Sequence, residues 1–168
     1  MDASELIIAF LNKTKISYQC LRHKPIYTLE DGLEISRATG IEPSKCLLLV
    51  NRRNQSFMVL AGEEQIDLRL IADTIHSSRL SFAPPETLMS LLHTTPGAVS
   101  PLGLVFDTEV SVKLIIDESL LKCDELLLAP CVNDLSIIIK TQDFMKVFLP
   151  ACGHPDYLIL NSRRLKSF

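Results

Sequence analysis

The chain has 168 residues, of which 47% are hydrophobic and 22% are charged, and its formal net charge is −3. That length is typical of one domain, and so much apolar surface excludes a disordered chain. The negative charge excludes a protein that holds nucleic acid through a broad basic surface, because that kind of affinity grows with the number of phosphates neutralised. We therefore expect no DNA partner, while a small local contact with RNA remains open.

The sequence lacks the marks of membrane insertion and of secretion. No apolar run reaches the ~18 residues of a membrane-spanning helix, and the first residues carry Asp2 and Glu5 where a signal peptide would be basic. We therefore expect a cytoplasmic protein with no membrane partner. The five cysteines are widely spaced with no C-x-x-C pair, which favours neither a disulfide framework nor a zinc site. Cys20 and Cys46 are expected to be small buried hydrophobes.

Capping signals place the first two helices. Asp2 with Glu5 forms a capping box ahead of an amphipathic stripe, and Thr28 with Asp31 forms a second one. Gly40 stands where a left-handed helix end is expected. Further helices are expected after Asp67, from Pro85, around 118–122 and after a Thr141 cap. The strands predicted in chain order are 17–21, 45–51, 56–61, 79–83, 111–116, 125–128, 135–139 and 156–160.

The elements predict a mixed α/β fold. Strands outnumber helices and are joined by hairpins as well as by helices, which favours a single domain over 1–168 with a curved, partly barrel-like mixed β-sheet surrounded by helices. The strand 45–51 is expected to be buried on both faces. Two prolines and two glycines within 94–104 predict a loop without regular structure. The basic cluster at 163–166 is interpreted as a solvated surface.

Three places could carry chemistry, since dinucleotide, P-loop and hydrolase-elbow motifs are missing. The loop 96–103 lets its glycines bring backbone close to a ligand while its prolines hold it rigid; an ordinary stiff connection would look the same. Lys45, at the start of an apolar strand, could meet a phosphate or carboxylate, or be merely solvated. The turn 152–155 presents His154, which is either titratable and functional or a simple turn residue.

Taken together, these places resemble a known family. HKPIYTLED at 23–31, Lys45 before CLLLV, QIDLRLIADTI with RLSFAPPETL, PGAVSPLGL at 96–104, VKLIIDESLL at 112–121 and GHP at 153–155 are similar to the YbaK/ProX-type (ProXp-ala-like) trans-editing aminoacyl-tRNA deacylases. This family is related to the editing insertion of bacterial prolyl-tRNA synthetases. The resemblance runs from about 21 to 160, and the combination of motifs is specific although no single piece is.

The resemblance implies hydrolysis of the ester that joins a wrong amino acid, most often alanine, to the 3′ end of proline tRNA, with prolyl-tRNA synthetase as a further possible partner. It implies substrate-assisted chemistry through a ribose hydroxyl and an ordered water, with no metal and no cofactor. Lys45 would help to hold the terminal nucleotide. The catalytic set that it implies is Lys45, Gly97, Ala98, Ser100 and His154. The substrate-binding set that it implies is His23, Thr28, Val99, Pro101, Leu102, Gly103, Asn133 and Gly153.

One departure leaves the substrate open. Many relatives carry a His-Pro pair where this chain has Ala129 and Pro130, although Asn133 is kept. Because that strand end should border the pocket, cysteinyl-tRNA deacylation is an alternative within the family. A non-catalytic module that binds tRNA or a synthetase is a second alternative. A metal-dependent hydrolase using His154, Cys152 and a distant His is a third.

Overall fold

A computed structural model describes residues 1–42, 44–62 and 66–161 of the chain. The cluster at 163–166 lies outside the described residues. The helices are α1 (Ala3–Lys13), α2 (Leu29–Thr39), α3 (Leu68–Thr74), α4 (Pro85–Leu92), α5 (Glu118–Leu121), α6 (Thr141–Asp143) and α7 (Leu149–Ala151), with a 3-10 helix at Pro101–Phe106 and a π-helical turn at Phe144–Phe148. The strands are β1 (Tyr18–Arg22), β2 (Lys45–Val50), β3 (Ser56–Ala61), β4 (Ser81–Phe82), β5 (Val112–Asp117), β6 (Glu125–Leu128), β7 (Leu135–Lys140) and β8 (Tyr157–Leu160).

The strands form two sheets, which corrects the expectation of one curved, partly barrel-like sheet. One sheet has the order β4-β2-β3-β5-β8, and the other is three-stranded with the order β1-β7-β6. In the larger sheet β2 pairs antiparallel with β3 and β4, while β5 pairs parallel with β3 and β8. The mixed α/β class is confirmed. No local signal in the sequence indicates this division into two sheets, because it depends on the pairing of β1 with β7, which are far apart in the chain.

Capping groups fix the helix ends where the sequence predicted them. The Asp2 side chain accepts from the Glu5 backbone N–H at 2.9 Å, and Thr28 accepts from that of Asp31 at 3.2 Å. Helix α2 ends at Gly40, whose φ of 72° places it in the left-handed region that glycine adopts without strain. Thr28 and Gly40 thus fix the two ends of α2, which forms one wall of the pocket.

The central strand β3 organises the core. All six of its residues are buried, and alternate side chains enter two clusters: Met58 and Leu60 face the core shared with the three-stranded sheet, whereas Phe57 and Val59 face the one under α3. The strand predicted to be buried on both faces was β2, and that prediction is wrong, because its first three residues are only half-buried. These three residues, Lys45, Cys46 and Leu47, line the pocket.

Four local predictions are also wrong. Residues 101–106 form a 3-10 helix although a structureless loop was expected; proline pre-sets the φ of its first residue, and the Ser100 side chain accepts from the Leu102 N–H. The strand expected over 79–83 is reduced to two residues. Lys140 rather than Thr141 is the N-cap of α6, and the Thr141 hydroxyl has no partner within the described part. Cys20 is exposed, because it lies on the outer strand β1.

In the described ranges, no helix combines the length and the apolar character that crossing a bilayer would require.

Candidate functional site

A pocket of about 520 Å³ opens between α2, the two sheets and the loop that precedes the 3-10 helix. This volume is in the range of small-molecule and cofactor sites. Its walls come from segments that are far apart in sequence. The residues that line it are Ile26, Gly32, Ile35, Ser36, Ser44, Lys45, Cys46, Leu47, Leu48, Phe82, Ala83, Leu88, Pro96, Gly97, Val99, Ser100, Pro101, Leu127, Leu128, Ala129 and Ser136.

Lys45 and the predicted loop border this same pocket. Lys45 is half-buried at the start of β2, which runs along one wall. Within the described residues no carboxylate lies at ion-pair distance from its ammonium. An unpaired ammonium at the edge of a mainly apolar pocket is suited to an anionic or strongly polar group of a ligand.

The loop supplies Gly97, Val99, Ser100 and Pro101 to the wall. Gly97 has a φ of 90°, a conformation that only glycine adopts easily, so the turn depends on this residue. In the ranges that the structure covers, the backbone N–H groups of Gly97, Val99 and Ser100 have no hydrogen-bond partner. Neighbouring backbone donors of this kind can stabilise a developing oxyanion.

Three loop residues of the predicted set lie behind the wall. Ala98 is 4% exposed, and its N–H donates to the Thr95 carbonyl. Leu102 is fully buried in the core. Gly103 is in close contact with α4: a Cβ there would come within 3.1 Å of the Leu92 carbonyl oxygen. These residues support the wall rather than border the pocket.

His23, Thr28 and Asn133 are not among the lining residues, yet each supports one that is. The Nε2 atom of His23 lies 2.9 Å from the hydroxyl of Ser136. The Asn133 side chain donates to the carbonyl of Ile26, and the Ile26 N–H donates back to the carbonyl of Asn133. Thr28 caps α2. These three residues therefore support lining residues or the start of α2 and do not themselves line the pocket.

His154 and Gly153 lie away from the pocket. His154 is 2% exposed, and its two ring nitrogens face the Asp107 carboxylate at 2.9 Å and the Cys152 carbonyl at 3.0 Å. Gly153 has a φ of 86° and forms the turn that brings the imidazole inward. Asp107 also accepts from two backbone N–H groups at the start of β5. The structure thus gives the predicted catalytic histidine a buried hydrogen-bond partner, Asp107.

Three of the cysteines show no sign of activation. Burial raises the pKa of Cys131 to about 12 and that of Cys152 to about 11, and it raises the pKa of Cys46 far above its ordinary value. A thiol with a raised pKa is a poor nucleophile. In the part of the chain that is described, no three His, Cys, Asp or Glu side chains are grouped so that they could hold a metal ion.

Sequence reasoning missed several lining residues. Phe82 is 63% exposed on the edge strand β4, and the Ser36 hydroxyl is buried without a partner in the described part. Ser136 lies in the middle of an apolar strand, where a single serine was the only available signal. Ala129 does line the pocket, as expected for that strand end.

Comparison with known proteins identifies the class. A family model described as the aminoacyl-tRNA editing domain matches residues 23–147. The chain therefore belongs to the aminoacyl-tRNA editing domain family, and it is a trans-editing aminoacyl-tRNA deacylase. The match covers α2, both sheets except β1 and β8, and every segment that lines the pocket.

Individual relatives agree with this assignment. The chain is 33% identical over 149 residues to the prolyl-tRNA editing protein ProX of Acetoanaerobium sticklandii, covering 88% of this chain and 91% of that protein. It is 28% identical to the multifunctional Ser/Thr-tRNA deacylase ProXp-y of Escherichia coli strain K12, covering 86% and 87%. A solved structure of a candidate trans-editing enzyme for prolyl-tRNA synthetase has the same fold, with a TM-score of 0.72, 17% identity and 96% coverage of each chain.

Proposed function

We propose that this protein hydrolyses the ester that joins alanine to the 3′ end of proline tRNA. The observation that carries the proposal is the single pocket that holds both Lys45 and the loop 96–101. The acceptor end of the tRNA is the partner that enters it. A partnership with prolyl-tRNA synthetase is part of the proposal and rests on the names of the relatives.

The pocket suits the terminal aminoacyl nucleotide. Its volume of about 520 Å³ leaves room for a nucleoside as well as a small amino acid. Among the lining residues that the structure describes, Lys45 supplies the one ammonium, and it would hold the terminal nucleotide. Phe82, at 63% exposure, offers a ring face on which the terminal base can stack.

Polar groups of the wall suit an ester. The N–H groups of Gly97, Val99 and Ser100 would donate to the carbonyl oxygen as it becomes an oxyanion. A buried hydroxyl without a partner costs roughly 1–3 kcal/mol, so the Ser36 side chain would gain by bonding to a bound ligand. Ala98, Leu102 and Gly103 would contribute by holding the loop in this shape.

The logic of a second sieve explains why such an activity is needed. A synthetase pocket built for proline rejects a smaller amino acid weakly, because one methylene is worth only about 1–3 kcal/mol. A separate pocket that admits small residues removes the resulting error. Ala129 leaves space at the strand end that a histidine would fill, which favours cysteinyl-tRNA as a second candidate substrate.

The test is a panel of proline tRNAs charged with alanine, cysteine, serine, glycine or proline. We expect substoichiometric protein to release alanine well above the uncatalysed rate and to leave prolyl-tRNA intact. Faster release of cysteine than of alanine would show that cysteinyl-tRNA, and not alanyl-tRNA, is the preferred substrate. Binding of the tRNA without any turnover would contradict the proposed hydrolysis and favour a non-catalytic tRNA-binding module.

An engineered variant sharpens the panel. Ala129→Leu places a larger side chain in the wall, so we expect kcat/KM to fall more for the cysteinyl than for the glycyl substrate. A matched control is Ala151→Leu, at an exposed position at the end of α7. Equal losses for all amino acids with Ala129→Leu would show that the strand end takes no part in selection.

A further inference from the structure

A serine and a histidine that are 113 residues apart form a hydrogen-bonded pair at the wall of the pocket. The hydroxyl of Ser136, on β7, lies 2.9 Å from Nε2 of His23, which directly follows β1. Ser136 lines the pocket and is 5% exposed, while His23 is half-buried behind it. The pair exists because β1 and β7 are neighbours, with Leu21 opposite Ser136.

The direction of the hydrogen bond follows from the other ring nitrogen. Nδ1 of His23 lies 2.8 Å from the carbonyl oxygen of Lys24, which can only accept. Nδ1 therefore carries a proton. In the neutral imidazole Nε2 is then the unprotonated nitrogen, so it accepts a hydrogen bond that the Ser136 hydroxyl donates. The Ser136 oxygen then still has lone pairs that can accept a hydrogen bond, and Ser136 is one of the residues that line the pocket.

The Ser136 hydroxyl is thus next to a base, the His23 imidazole, and the Lys24 carbonyl orients that base. We propose that Ser136 and His23 form a proton relay that takes the proton of the attacking water during ester hydrolysis. Ser136 contacts the water, and His23 acts through it as the base. The inference rests on the proposed deacylase function, and it adds a protein base to the substrate-assisted chemistry that the family resemblance implies.

The relay conserves atoms and protons. Water oxygen bonds to the ester carbonyl carbon while its proton passes to the Ser136 oxygen and the Ser136 proton passes to Nε2. The resulting imidazolium is stabilised by the Lys24 carbonyl. When the tetrahedral intermediate collapses, the bond between carbon and ribose oxygen breaks, and the proton returns through Ser136 to that oxygen. The products are the free amino acid and the tRNA with its hydroxyl restored.

A nucleophilic role for Ser136 is the competing use of the same geometry. In that case the hydroxyl oxygen, and not water, would bond to the carbonyl carbon and leave an aminoacyl-serine. The small exposed fraction of Ser136, 5%, favours contact through a water rather than attack on a bulky ester. Trapping of a covalent aminoacyl-enzyme after rapid acid quenching would overturn the relay.

Two substitutions separate proton transfer from hydrogen bonding. In His23→Gln the amide oxygen can still accept from Ser136 but cannot take up a proton, and Ser136→Ala removes the relay. General base catalysis contributes roughly 10²–10⁴-fold, so we expect both variants to lose about that factor in kcat with little change in KM. Ser136→Thr keeps the hydroxyl and should restore most of the rate.

The pH profile gives a readout that a structural role would not move. A base at this position predicts an acid limb in the wild-type profile of kcat against pH, and this limb should be absent in His23→Gln. The charged groups beside His23 are Arg22 and Lys24 in the chain and Asp134, whose carbonyl accepts the His23 N–H, so their replacement should shift the limb without removing it.

Controls keep failure of the relay distinct from failure of the proposed function. The assay uses whichever aminoacyl-tRNA the wild type hydrolyses fastest, and binding of an amide-linked 3′-aminoacyl-adenosine shows that each variant retains its pocket. His76→Gln and Ser90→Ala are matched replacements at exposed positions outside it. Wild-type kcat and an unchanged pH profile in His23→Gln, with normal binding, would overturn the relay while leaving the deacylase intact.

Discussion

Nε2 of His154 lies 2.9 Å from Oδ2 of Asp107, and both side chains are 2% exposed. The carboxylate also receives the backbone N–H groups of Ser111 and Val112, at 3.0 and 2.8 Å. The pair therefore joins the turn before β8 to the segment before β5, two strands that are neighbours in the sheet. His154, which the sequence indicates as a catalytic candidate, thus forms a buried contact that stabilises the edge of the larger sheet.

Removing this carboxylate should destabilise the protein strongly. Asp107→Ala leaves the buried imidazole of His154 and the N–H groups of Ser111 and Val112 without their acceptor, and breaking a buried pair costs roughly 3–5 kcal/mol. Urea unfolding measures the change in the free energy of unfolding. Glu109→Ala, at an exposed position two residues on, is the control and should change it by less than about 0.5 kcal/mol. A small effect of Asp107→Ala would mean that the pair contributes little.

The Asp107 carboxylate should also make the stability of the fold depend on pH. Burial raises the pKa of Asp107, but hydrogen bonds from Val112, His154 and Ser111 outweigh it and hold that pKa below its ordinary value of 3.8. The contribution to stability is therefore full above the unfolded pKa and is lost as pH falls through the lower folded pKa. We expect the melting temperature of the wild type to drop more steeply below about pH 4 than that of Asp107→Asn. Parallel curves would contradict this.

Replacing Lys45 should weaken the handling of substrate. A hydrogen bond to a charged group is worth about 1.5–3 kcal/mol, so Lys45→Ala should lower kcat/KM by about 10- to 100-fold. Lys113→Ala, an exposed lysine on β5 outside the pocket, is the matched control. Deacylation of alanyl-tRNA by the two variants measures the difference. An unaltered rate for Lys45→Ala would remove this residue from the site.

Replacing Phe82 should weaken binding of the terminal nucleotide. Stacking of a base on an aromatic ring is worth about 1–3 kcal/mol, so Phe82→Ala should raise Kd for an amide-linked aminoacyl-adenosine by about 5-fold or more. Phe82→Tyr keeps the ring and should bind normally. Met89→Ala, an exposed apolar residue that does not line the pocket, controls for lost surface. Equal binding by the alanine and tyrosine variants at position 82 would exclude stacking.

Two glycines should respond to alanine in opposite directions. A Cβ at Gly103 would lie 3.1 Å from both the Leu92 carbonyl oxygen and the Cys131 sulfur, so Gly103→Ala should cost about 1–3 kcal/mol of stability. A Cβ at Gly32, within α2, meets nothing within 4 Å, and Gly32→Ala should stabilise by about 0.5–1 kcal/mol. Thermal unfolding checks both. Tolerance of Gly103→Ala would show that the loop adjusts to the extra methyl group.

Local signals were sufficient where neighbouring residues decide the structure. The capping residues Asp2 and Thr28 and the terminator Gly40 each act within four positions of the chain, so the ends of α1 and α2 could be predicted. The strand 56–61 and the helix beginning at Pro85 were predicted for the same reason. Lys45 and the loop 96–101 could be placed at one pocket only by resemblance, because no local rule brings them together.

Pairings between distant segments could not be predicted. Whether β1 pairs with β7 or joins the larger sheet depends on packing of the whole core, and so the two-sheet division was missed. The same holds for His23 with Ser136 and for Asp107 with His154, which are 113 and 47 residues apart. For His154 the sequence shows only a histidine in a turn, and this pattern is the same whether the side chain contacts a substrate or a buried carboxylate.

The walls of the pocket extend along the chain from Ile26 to Ser136. β7 follows every other segment of the wall in the chain, so a growing chain holds Lys45 and the loop before the cavity can close around them. The cavity is therefore complete only once the three-stranded sheet that carries β7 has formed.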